Sequence, residues 1–148
     1  MPRTVRWFVR AALLHLLGAV LLGLLMQLGR WRSEFDLSPH LYLRVIHTHM
    51  ALMGGVVQMI LGVAMWMFPQ TQPPARRLPF REGWAFTAFW LFNGGLWLRF
   101  VFEALHGAGA GSHFAGLAVL TTLMQLAGMG IVAAHLWSLR PHRRDQNS

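Results

Sequence analysis

Four stretches of this chain are each long and apolar enough to dictate the solvent in which it folds. They run from Trp7 to Leu28, Leu41 to Phe68, Trp84 to Leu105 and His113 to Leu139. A hydrocarbon core of ~30 Å takes about 20 residues of helix to cross. Lipid offers backbone N–H and C=O groups no partner, so runs of this length must satisfy them internally, as helices. A membrane barrel would instead place a polar residue at every second position of shorter segments, and these runs show no such alternation. The sequence therefore predicts an all-α integral membrane protein with a four-helix transmembrane domain over residues 1–139. With short connections the helices alternate in direction as an up-down bundle, and residues 140–148 form a short basic tail. The first run follows Arg3, Arg6 and Arg10 as a secretory signal would. Its apolar stretch is too long, however, and no small-residue cleavage site precedes Arg30, so it reads as a retained helix.

Charge orients the bundle. The formal net charge is +8, which by itself would suit a nucleic-acid binder. The arginines instead gather before the first run, between the second and third (Arg76, Arg77, Arg81) and after the fourth (Arg140, Arg143, Arg144). The connection after the first run balances Arg30 and Arg32 with Glu34 and Asp36, and residues 106–112 carry no full charge. Positive residues stay inside, so both termini and the middle connection are expected in the cytoplasm of a bacterial inner membrane, with no nucleic-acid partner. Cysteine is absent, which excludes disulfides, thiolate metal sites and catalytic thiols.

Punctuation and small residues outline the packing. Pro69 is expected to stop the second helix, ahead of a proline-rich connection that extends to Pro79, and residues 107–111 read as a flexible turn. Trp7, Trp84 and Trp137 near the inner boundary, with Trp31 and Tyr42 near the outer one, fit interfacial belts. Gly54, Gly55 and Gly62, Gly94 and Gly95, and Gly116, Gly128 and Gly130 offer close helix approach, or room for a flat cofactor.

Among the eight histidines, His40, His106, His113 and His142 lie near boundaries or in the tail. His15 and His135 sit toward the cytoplasmic half of their helices, where they could meet or pack. His47 and His49 lie ~10–14 Å into the second helix at ~1.5 Å per residue, and ionisable groups at that depth are functional candidates. At ~100° per residue they leave the helix about 200° apart, so they cannot share one small ion as an i, i+4 pair would. The His47 side continues through Ala51, Gly54, Gln58 and Met65, a small and polar stripe; the His49 side continues through Met53, Val56 and Ile60. Two hydrogen-bonded histidines without a cofactor, and two histidines serving two separate sites, both satisfy this spacing. Arg44 and Arg99 are cations at depth, and Arg99 also shares a face with Glu103 one turn on.

The segment Tyr42-Leu43-Arg44-Val45-Ile46-His47-Thr48-His49-Met50-Ala51-Leu52-Met53-Gly54-Gly55, ending at Gly62 and Phe68-Pro69, resembles a histidine-bearing helix of the heme-copper oxidase subunit I superfamily. It is also similar to the His-x-His segment of bacterial membrane heme proteins associated with nitric-oxide response. In the oxidases, twelve helices form three equivalent four-helix arcs, and one arc carries a His-x-His helix ligating hemes in adjacent pores. The resemblance implies heme b held by His47 and His49, with Arg44 and Arg99 available to propionates. It further implies a homotrimer in which each iron takes His47 from one protomer and His49 from the next. The implied function is nitric-oxide- or nitrite-related sensing, or electron transfer. The sole tyrosine, Tyr42, lies at the outer boundary and no further histidine cluster accompanies the pair, which argues against oxygen reduction. The lack of a carboxylate path to the cytoplasm argues against proton pumping. Two other readings stand beside heme: a non-catalytic accessory or assembly subunit of a respiratory complex, and copper handling by Met50, Met53, Met59, Met65 and Met67 as soft ligands.

Overall fold

The computed structural model describes residues 1–32, 41–70 and 82–138, and every regular element among them is helical. The order is α1 (Arg3–Arg32), α2 (Leu41–His49), a π-helical segment (Met50–Val57), α3 (Gln58–Gln70), α4 (Glu82–Gly107) and α5 (His113–Ser138). The second, π and third pieces follow without a break, so four spans are long and apolar enough to cross a bilayer. The expectations placed on His40, on Arg76, Arg77 and Arg81, on His142 and on the basic tail lie outside the described residues.

The helices outrun their apolar stretches. α1 begins at Arg3 rather than Trp7 and ends at Arg32 rather than Leu28. Hydropathy marks the length that meets hydrocarbon, whereas backbone hydrogen bonding continues through flanking arginines, which are good helix formers. α3 likewise passes Pro69 and ends at Gln70. A proline in the last turn forfeits a single hydrogen bond without forcing the chain out of the helix on the spot.

The turn after α4 is more defined than its composition suggests. Ala110 N–H donates to Leu105 O and Gly109 N–H to His106 O, both at 3.0 Å, with Gly109 at φ +79°. This is a Schellman cap, whose left-handed position glycine fills without a Cβ penalty. Gly109→Ala is expected to cost about 1–2 kcal/mol, read as a lower unfolding midpoint in detergent.

The spans alternate in direction. Glu82 Oε1 accepts the Arg3 N–H at 3.1 Å, joining the starts of α1 and α4, while Gly62 packs on Phe8 and Gly23 on His47, so the second span runs antiparallel to α1. Gly95 against Thr121 and Gly128 against Ala88 set α5 antiparallel to α4. α1 packs chiefly on the second span and α5 chiefly on α4, while the backbones of α1 and α5 make no close approach. The four therefore form a lozenge, with the second span and α4 across its short diagonal. His15 and His135 belong to helices at the two far corners, and the His15 ring makes no hydrogen bond to His135.

The core is split into two apolar clusters. Val5, Phe8, Met65, Ala85, Ala88, Phe89 and Val132 close the end where α1 and α4 begin. Ile46, Leu96 and Phe100, with Leu22, Tyr42 and Met53 around them, close the other. The outer surface is apolar in its turn: Leu14, Leu17, Val20, Ile60, Val119 and Leu126 are all at least 60 % exposed. An outer surface as apolar as the core suits lipid as the surrounding solvent.

Candidate functional site: two histidines ahead of a π-helical segment

α2 ends on His49, so both histidines precede the π segment and the ~100° step between neighbours still holds for them. The ring of His47 turns to α1. Its Nδ1–H donates to the Ala19 carbonyl at 3.0 Å, and the ring lies over Gly23, where a Cβ would stand 3.0 Å from Cε1. One carbonyl and one missing side chain on α1 thus fix the imidazole plane. His49 leaves the opposite side, on the line of Tyr42, which packs on Gly107 of α4. Its Nδ1–H donates to the Val45 carbonyl at 2.9 Å, one turn back in its own helix. Both rings are half-buried.

These bonds settle the tautomers. A carbonyl oxygen has no proton to give, so in each neutral ring Nδ1 carries the hydrogen and Nε2 keeps its lone pair. A histidine that ligates a metal almost always donates its other ring N–H in this way, which fixes orientation and raises basicity. Each ring therefore presents one oriented nitrogen donor, and the two donors address different sides of the span. Among the described residues no three of His, Asp or Glu converge as a metal-ion site. A group able to use one histidine at a time, or one from each of two chains, is what this donor set can serve.

The π segment that follows contains Gly54 and Gly55. Added Cβ atoms there would run into His15 at 2.7 Å and into Leu16, so these glycines draw α1 and the second span together. π turns are frequent at functional sites, and periodicity has no means of announcing one in advance. The stripe expected beyond His47 is interior: Gly54, Gln58 and Met65 are all buried.

The two arginines differ in their surroundings. Arg99 lies 3.5 Å from Glu103 and donates through Nη1 to Thr122 of α5 at 3.1 Å. These contacts lie on α4 itself and on α5, as the i, i+4 spacing with Glu103 leads one to expect. Arg44 is exposed on α2 and has no ion pair among the described residues. Of the methionines, Met65 is sealed into the first apolar cluster. Sequence reasoning gave little weight to His15, which is 4 % exposed and holds its ring 5.5 Å from that of Trp97.

The four spans and their apolar outer surface define the class: this is a multi-pass membrane protein. No family model, curated protein or solved structure matches the chain.

Proposed function

We propose that this is a heme b protein of a bacterial inner membrane, with His47 and His49 as iron ligands at the boundaries between protomers of a homotrimer. The observation that carries the reading is the pair of anchored rings, each with Nδ1 spent on a backbone carbonyl and Nε2 left as donor. Because the two leave opposite sides of one span, each protomer serves two hemes, and each heme takes His47 from one chain and His49 from the next. Closed cyclic symmetry supplies such a head-to-tail pairing. The exposed Arg44 suits a propionate in the bidentate manner of guanidinium and carboxylate; Arg99 would have to relinquish Glu103 to do the same.

Bound there, heme supplies one-electron redox chemistry, with an affinity for diatomic ligands only if one histidine yields its place. The chain contributes two oriented imidazoles and a largely apolar setting, which suits electron transfer or nitric-oxide- and nitrite-related sensing. Arginine placement along the sequence supports an orientation with both termini in the cytoplasm. The visible spectrum of protein expressed with ample heme tests the reading: a sharp reduced α-band at one heme per chain is expected. A featureless spectrum would leave the accessory-subunit reading in its place. Mass measurement in mild detergent is expected to find a heme-bearing trimer, and a monomer with full heme would end the shared-ligand arrangement.

A further inference from the structure

Between the two apolar clusters, every span contributes a buried polar side chain. His15 of α1, Gln58 of α3, Asn93 of α4 and Gln125 of α5 are 4 %, 0 %, 5 % and 2 % exposed. Their positions interlock. Gly54 presses against His15, and Gln58 stands one turn further along the same face. Asn93 lies between Phe89 of one cluster and Leu96 of the other, and Gln125 packs against Gly95.

Two members of this layer are provided for by their own helices. Asn93 Nδ2 donates to Phe89 O at 3.0 Å and Gln125 Nε2 to Thr121 O at 3.5 Å. The other two are not. Both ring nitrogens of His15 and both amide atoms of Gln58 are enclosed without a hydrogen-bond partner. The Ala11 and Gly54 carbonyls flank His15 without reaching hydrogen-bond geometry. Native interiors leave few polar atoms in this condition, and each such atom calls for a partner. The four lie on two side chains of adjoining helices.

We propose that His15 and Gln58 form an internal binding site for water at mid-membrane, separate from the histidine pair of α2. The chemistry of the set selects the guest. One imidazole and one primary amide offer donors and acceptors but no charge, so the set neither balances an anion as arginine would nor a cation as a carboxylate would. A small neutral molecule that both donates and accepts satisfies all four atoms, and buried water characteristically makes two to four such bonds. Because an apolar cluster closes each end of the layer, the site is occluded and does not form a conducting path. Its structural effect is to register the second span against α1 at the π segment.

A double-mutant cycle reads this directly. If water links the two side chains, His15→Phe and Gln58→Met should each lower the unfolding midpoint in detergent, by about 5 °C, since each strands the other residue and the water. The double variant removes the whole set and is expected to recover most of that loss, a non-additivity typical of residues in one network. Additive effects of either sign would overturn the shared site, including the case in which each apolar side chain raises the midpoint. Infrared spectra of the unaltered protein supply the second readout, whether or not the variants fold. A bound-water O–H band that shifts in H₂¹⁸O is expected. Its absence would overturn the proposal, even if the cycle showed His15 and Gln58 to be coupled directly.

Discussion

His47→Ala and His49→Ala are each expected to abolish the sharp reduced α-band of protein expressed with ample heme, and to lower bound heme to well under half. The size of the effect follows from how iron would be held. A six-coordinate heme with two imidazoles loses its low-spin character when either is removed, and in a ring of protomers either substitution affects every site. Neither change should unfold the chain. Both rings are half-buried, and the bonds they give up are made to carbonyls of Ala19 and Val45 that lie within helices. His106→Ala and His113→Ala, which alter exposed rings at the far end of α4 and the start of α5, should leave the band intact. A His49 variant with full heme and an unchanged spectrum would refute the sharing of ligands between chains. Loss of the band in the exposed controls as well would point to general damage to the bundle.

The largest expected effect on stability comes from glycines that look equivalent in the sequence. At Gly95 an added Cβ would lie 2.7 Å from the Thr121 carbonyl oxygen, and at Gly128 it would lie 2.9 Å from both Ala88 O and Phe92 N. These are backbone atoms of a facing helix, which cannot swing aside as a side chain can. Gly95→Ala and Gly128→Ala must therefore push α4 and α5 apart along their main contact, at a cost of about 1–3 kcal/mol or more. At Gly94, Gly116 and Gly130 nothing lies within 4 Å. There alanine only reduces backbone freedom, and a gain of about 0.5–1 kcal/mol is expected. Unfolding midpoints of the five variants in one detergent check the contrast of sign. If a second protomer covers Gly94, Gly116 or Gly130, that one variant will lose stability, and only under conditions that preserve the assembly.

Much of the fold was legible because lipid imposes so strict a condition. Runs long enough to span it must be helices, and joining four of them by short connections makes them alternate. The opposed facing of His47 and His49 was legible too, since both lie in α2, where a ~100° step per residue holds. Periodicity loses its authority at Met50, where the helix becomes π. The roles of the glycines were not legible at all: Gly94 and Gly95 are neighbours of identical composition, yet one faces open space and the other the backbone of α5.

What the sequence determined by itself, then, is the number of spans, their alternation and the opposed facing of His47 and His49, all of which depend on a single helix or on the solvent around it. Tertiary structure decided the rest. It kept the backbones of α1 and α5 apart, at the two far corners of the bundle. It brought Ala19 and Gly23 against the His47 ring, and it buried His15 and Gln58 together between two apolar clusters. The physical reason is common to all three. In a chain whose outside is as apolar as its inside, hydropathy carries little information about which faces meet, and close approach at particular glycines makes that choice.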